Sequence, residues 1–323
     1  ISIIEDGVPI APAPYTARDA YYLPSVGRMD GIEVMKGAIQ IAQGPNTVGG
    51  AINFISTPIP TALSGRVDGR FGSCGTGGLH VHVGDGSGHI GWIVDALQAG
   101  SQGFKVLDGG DPTGFDKLDL LGKLRWRSAD DARFDQRVEL KLGTVQELSH
   151  ETYAGLTPED LAVNPIRRYA GSHRDEMDAA QRQAVLTHVV DLGGGWRWTQ
   201  RAYATRFQRN WYKADRAVGP SGTWVKLGAL LAGQSADSSV AEALSVFRDG
   251  EAGQVRLKAN NRLYYSRGLE TKTSWDGDWM GWRRIEASPR IHGDGMDGSQ
   301  WGEARTMAPR LQLFARRGTP CST

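Results

Sequence analysis

The chain has 323 residues, with 37 Lys and Arg against 36 Asp and Glu for a formal charge of +1, and it is rich in Gly (43) and Trp (10). Balanced charge excludes the basic footprint of a nucleic-acid binder. Mean hydropathy is −0.38 and no apolar run reaches the roughly 20 residues of a spanning helix. That excludes a helical membrane protein but not a transmembrane barrel, whose alternating strands keep average hydropathy low.

Ile1-Ser2-Ile3-Ile4 reads as a strand and not as a secretory signal, and no Met starts the chain, so the sequence reads as beginning inside a domain. Ile10–Tyr22 is Pro- and Tyr-rich, as an exposed loop would be. Ile32-Glu33-Val34-Met35-Lys36-Gly37 alternates apolar and polar residues and then meets a glycine, a strand entering a turn. Gly44-Pro45-Asn46 supplies turn chemistry. Gly49-Gly50 permits close backbone approach before a second strand, Ala51–Ser56.

Beyond Pro60 the two-residue alternation repeats. Leu118, Leu120, Leu124 and Trp126 oppose Asp119, Lys123 and Arg125; Val138, Leu140 and Leu142 oppose Glu139 and Lys141. Nine strands are expected, near 64–72, 78–84, 89–99, 115–127, 133–146, 181–191, 196–215, within 254–275, and 282–291. The densely charged polar face favours a membrane barrel with lipid-facing leucines and lumen-facing charges. Connection lengths add a second argument. The links Gly84–Gly88, Ser128–Ala132, Leu192–Gly195 and Asp276–Gly281 are short, whereas Gly100–Gly114, Glu147–Ala180 and the stretch after Arg216 are long. Short periplasmic turns and long outer loops alternate in this way in outer-membrane barrels. The first link, Ser73–Gly77, is short although it should be external. Thr157-Pro158-Glu159-Asp160 announces a short helix in the second long loop. After Gly293 the alternation fades, and an irregular tail is expected over 293–323. Cys74 and Cys321 are too far apart in sequence for a bond to be argued and read as incidental.

The segment Ile32–Pro60 resembles the end of the plug domain of TonB-dependent outer-membrane receptors, where an (I/V)-E-V-x-(K/R)-G strand precedes a Gly-Pro turn and G-G-x-I-N. Glu5–Ile10 and Ala13-Pro14-Tyr15 resemble the D-G-(I/V)-P-(V/I)…A-P-Y segment of ferric-citrate-type receptors. Tyr153–Tyr169 and Arg206–Lys213 are similar to barrel segments of the same subfamily. One departure is Ala42-Gln43, where the family usually carries an aromatic, often Arg-Tyr, so no role of that pair carries over.

The resemblance implies an all-β fold: the C-terminal part of a plug over 1–60, then antiparallel barrel strands over 61–292. Nine strands are odd in number and far from the about 22 that enclose a plug, so the chain reads as a fragment without the box that contacts TonB. Implied by resemblance are an outer-membrane location, a ferric chelate such as ferric citrate or a carboxylate siderophore as cargo, the TonB complex as energy source, and lipid as surroundings. Another cargo, a fragment without activity, or a secreted all-β adhesin remain open.

No catalytic constellation and no cofactor motif is present. His80 and His82 share a strand face, but no Cys or carboxylate is spaced along the chain to complete a metal site, so they read as lumen-facing filler. Arg167, Arg168 and Arg209 lie at expected outer positions near aromatic residues, and guanidinium groups bind carboxylates bidentately. With Tyr15 and Arg18 in the plug they form the candidate cargo site. The competing role for the outer arginines is contact with lipopolysaccharide phosphate or water; for Tyr15 and Arg18 it is packing against the barrel wall.

Overall fold

A computed structural model describes residues 1–10, 22–37, 49–232, 236–279 and 282–307. Near its start the chain folds into β1 (Ser2–Glu5), β2 (Val8–Pro9), β3 (Met29–Met35) and β4 (Ala51–Ser56). They form one sheet in the order β2-β1-β4-β3, with β1 and β4 parallel. Asp6 and Gly7 both have positive φ, 50° and 80°, so an Asp-Gly hairpin turn joins β1 to β2. Gly50, at φ 108°, accepts a hydrogen bond from the Ser2 amide at 3.0 Å. The Gly44-Pro45-Asn46 turn lies outside the described residues.

The second sheet is a long antiparallel wall. In chain order its elements and their connections are β5 (Ser64–Phe71), β6 (Gly77–Asp85), β7 (Ile90–Ser101), β8 (Val106–Leu107), β9 (Phe115–Arg127), β10 (Asp135–Ser149), α1 (Pro158–Val163), β11 (Arg167–Arg168), β12 (Glu176–Gly193), β13 (Trp196–Val218), β14 (Val225–Lys226), α2 (Leu227–Leu230), α3 (Ser238–Asp249), β15 (Gly253–Trp279), β16 (Trp282–Ala287) and β17 (Arg290–Met307). Every long strand pairs with its sequence neighbour, from β5 to β16. β16 and β17 pair with successive stretches of β15, Thr273–Trp279 and Gly253–Glu270. They therefore share one edge, interrupted at Ser288-Pro289, where Pro has no amide to donate.

The nine expected segments are all present, most of them longer than read. The last one differs most. Gly293–Met307, expected as irregular tail, is paired strand. Its glycines at 293, 295, 298 and 302 erase the apolar rhythm, but a ladder is held by backbone hydrogen bonds and does not require that rhythm. Residues 308–323 lie outside the described residues. Cys74 lies in the β5–β6 turn, and Cys321 lies outside the described residues.

The two faces of the wall differ as the alternation requires. One cross-strand row reads Trp92, Leu124, Leu140, Leu186, Ala202, Leu269 and Ile291, each directly opposite the next. Its members stand exposed, Leu124 at 52% and Leu269 at 55%. Leu118, Leu120 and Trp126 point to the same side, whereas Asp119, Lys123 and Arg125 are buried on the other. An exposed apolar belt over a charged inner face is the pattern of a membrane wall. No helix among the described residues is long and apolar enough to cross a membrane.

The three long connections gather at one end of the wall. β8 from the first pairs in parallel with β11 from the second. Tyr169 from the second packs with Phe247 of α3 from the third, ring centroids 6.1 Å apart. Leu227, Leu230, Ala243 and Val246 join Ala214, Ala217 and Val255 of the wall in one core. α1 forms where expected: Thr157 caps it by accepting from the Asp160 amide at 3.3 Å.

The belt makes a direct prediction. Leu124→Arg should destabilise the protein folded in lipid vesicles by about 2–4 kcal/mol, the range for a cation near the bilayer midplane. Denaturant titration from vesicles measures this; a change below about 0.5 kcal/mol would remove this face from the lipid.

Candidate functional site

The small sheet is seated against the charged inner face of the wall, and the contact begins at the Asp-Gly hairpin. Glu5 is fully buried. Lys141 of β10 donates to Glu5 Oε1 at 2.6 Å and to Asp6 Oδ2 at 2.5 Å. Gln183 of β12 donates to Glu5 Oε1 at 3.1 Å. Arg28, 1% exposed, bridges Glu5 Oε1 at 3.2 Å and Asp119 Oδ1 of β9 at 2.9 Å. Lys123 of β9 donates to the carbonyls of Ser56 and Thr57 at 3.3 and 2.8 Å. Asp6 also accepts from the Ser56 amide at 2.9 Å and from the Ser56 hydroxyl. Arg201 of β13 reaches Glu270 of β15 at 3.3 Å and the Gly7 carbonyl at 3.5 Å. One hairpin thus holds charged or polar groups from β9, β10, β12 and β13.

The electrostatics follow from this crowding. Burial alone would raise both carboxyls. The ammonium of Lys141, with the guanidinium of Arg28, outweighs it at Glu5 and holds that group below its ordinary value. At Asp6 the charges of Lys141 and Lys123 outweigh burial and lower it to about 2. Such a cluster contributes little net stability relative to apolar packing, but removing one partner strands a buried charge. An apolar contact lies beside it. Ile3, Ile10, Tyr22 and Phe54 pack on Val145, Ala179, Phe207 and Tyr264 of the wall.

The segment that leaves the small sheet is cradled by glycines. A Cβ at Gly84 would lie 2.9 Å from Pro60 Cδ; one at Gly86 would collide with the Pro60 carbonyl; one at Gly91 would lie 3.1 Å from Ile59. The glycines around the β6–β7 turn therefore make room for Ile59-Pro60.

The predicted cargo residues are distributed as follows. Tyr15 and Arg18 lie outside the described residues. Arg167 is a connector of the three long loops: it pairs with Asp108 at 2.9 Å, Asp160 at 3.5 Å and Asp249 at 3.5 Å, one from each loop. Arg168 donates to the carbonyls of Pro165 and Arg167. Arg209 lies on the inner face of β13, 2% exposed, with its guanidinium 5.2 Å from the Trp211 ring. Arg262 of β15 stands directly opposite it in the ladder. Sequence reasoning missed Arg262, Arg28 and Lys141. For Lys141 the signal was its parity with the lumen-facing set; for Arg28 and Arg262 no local signal existed.

No family model matches the chain. Among solved structures, it is similar to the unliganded ferric citrate transporter, with 17% identity, TM-score 0.66, and coverage of 94% of this chain and 40% of that one. It is similar to the ferripyoverdine receptor of the outer membrane of Pseudomonas aeruginosa, with 13% identity, TM-score 0.60, and coverage of 93% and 36%. A siderophore receptor of Acinetobacter baumannii follows at 11% identity and TM-score 0.54, with coverage of 93% and 54%. The chain thus spans about a third to a half of the lengths of these proteins. Its fold is the plug-and-barrel fold that its motifs resemble, with an incomplete wall among the described residues.

Two predictions follow from the contacts. Lys141→Met should release the small sheet from the wall at a cost of about 3–5 kcal/mol, because Glu5 and Asp6 lose their shared cation while remaining buried. Protease protection of residues 1–10 in increasing urea reports it; unaltered protection would show that the apolar contact alone seats the sheet. The second concerns Asp175, between the second long loop and β12. Burial pushes its carboxyl up from 3.8 to about 6, against the opposing pull of the Ala214 and Tyr153 amides that it accepts. A raised value favours the neutral form in the folded cap. Its stabilisation is complete below about pH 4 and is lost as pH rises through about 6, on the order of 3 kcal/mol in all. Proteolysis of the outer loops should therefore accelerate between pH 4 and 7, and Asp175→Asn should flatten that profile. Equal slopes in both proteins would contradict it.

Proposed function

We propose that this chain forms plug and wall segments of an outer-membrane receptor that imports a ferric chelate, energised through the TonB complex. The observation that carries the reading is a small plug sheet bolted by buried ion pairs to the charged inner face of a wall whose outer face is an apolar belt. A barrel meant only to anchor or adhere has no need of a folded sheet in its lumen. The plug sheet and the wall are joined by buried ion pairs as well as by an apolar contact. The names of the similar structures, a ferric citrate transporter and siderophore receptors, support the cargo class.

The cargo is proposed to be a carboxylate chelate such as ferric citrate, met by Tyr15, Arg18, Arg167, Arg168 and Arg209. Support comes from the inner wall. Arg209 and Arg262 are directly opposed across β13 and β15, and two guanidinium groups on one face match the charge and the bidentate geometry of a chelate's carboxylates. Arg167 would act mainly by holding the outer loops together, given its three carboxylate partners.

Uptake of radiolabelled iron tests the assignment in cells producing the receptor. Arg209→Gln should reduce ferric citrate uptake about tenfold, consistent with loss of one charge-assisted hydrogen bond, and leave uptake of an uncharged ferric hydroxamate unchanged. Equal loss for both chelates would assign Arg209 to folding. Unchanged uptake of both would remove it from the site.

A further inference from the structure

His80 and His82 belong to β6, alternate residues on its inner face, and β7 places Asp95 directly opposite His82. The carboxylate that the spacing along the chain could not supply comes from the neighbouring strand. His80 Nε2 lies 2.8 Å from Asp95 Oδ1. One ligand atom from each of His80, His82 and Asp95 falls within 4.8 Å of the others. The rings of His80 and His82 are 5.4 Å apart, edge to face. His82 Nδ1 is buried without a hydrogen-bond partner. A buried imidazole nitrogen with no partner is uncommon in a folded protein, and here it sits beside a second imidazole and a carboxylate.

We propose that His80, His82 and Asp95 form a site for a divalent transition metal of the zinc class on the inner wall. Two imidazoles and one carboxylate are a donor set that suits such ions and leaves positions open for water or a further ligand. Ligand atoms around zinc stand about 3.3–3.5 Å apart, from bond lengths of about 2.0–2.1 Å, so side-chain rotation of about an ångström closes the set. The second carboxylate oxygen is already fixed. Thr57 donates its hydroxyl to Asp95 Oδ2 at 2.6 Å, the kind of outer contact that orients a metal-bound carboxylate. Thr57 also contacts the Arg28 carbonyl at 3.2 Å. A metal at this position would therefore be coupled to the point where the plug sheet passes into its linker.

Cobalt(II) is the probe, titrated alone into the receptor purified in detergent. One equivalent should bind and give visible d–d absorption, and zinc(II) should displace it. Asp95→Asn and His82→Gln should each weaken binding at least tenfold, whereas His150→Gln, a change in the outer loops, should not. His82→Gln is the decisive variant, because His82 Nδ1 holds nothing in the fold; circular dichroism confirms that its strands are retained. Equal cobalt binding by the parent and the His82→Gln protein would overturn the site, and so would a folded parent that takes up none at 100-fold excess. Neither measurement reads cargo uptake, so the site and the proposed import function stand or fall separately.

Discussion

The architecture depends on a fully buried carboxylate, Glu5, that is held by three strands of the wall at once. Lys141 and Gln183 contact it directly, and Arg28 ties it to Asp119. Isolated burial of such a charge is prohibitive, so the plug hairpin is stable only where the wall supplies cations, and the inner-face cations are stable only where the hairpin supplies anions. Each part completes the other. This reciprocity explains how buried cations and carboxylates can face one another between the plug hairpin and strands β9, β10 and β12.

The same constraint organises the segment between plug and wall. Lys123 holds the carbonyls of Ser56 and Thr57, Thr57 holds Asp95, and glycines 84, 86 and 91 leave space for Ile59 and Pro60. A side chain at any of the three would push the linker away from the sheet. At the opposite end, Arg167 and the β8–β11 pairing fasten the long loops into one cap. The wall is thus locked at both ends by polar contacts, with the membrane belt between them.

Strand positions and the two faces were legible in the sequence because period-two alternation reports burial directly, as Leu118–Trp126 shows. The side on which the long loops lie was legible from connection length alone. Three features were not. β17 was hidden because its glycines remove alternation while leaving every ladder hydrogen bond available. α3 was hidden in the third loop, although Asp237 caps its start and Gly250, at φ 73°, ends it. The ion cluster was hidden because its members lie up to 178 residues apart, and pairing of that kind leaves no local pattern. The same reason hid Asp95 from His80 and His82. Arg167 was legible as important, but its three carboxylate partners come from three loops, so its role as a connector emerges only from the fold.

Seating of the plug hairpin against the inner wall is tested most directly by a cysteine pair, in a protein whose Cys74 and Cys321 are replaced by serine. Val8 packs on Val185 of β12, while Leu186, the next residue, stands on the lipid side. Since a disulfide forms only between closely apposed Cβ atoms, mild oxidation should link Val8→Cys to Val185→Cys in high yield and leave Val8→Cys with Leu186→Cys unlinked. Linkage in both pairs or in neither would contradict the seated plug.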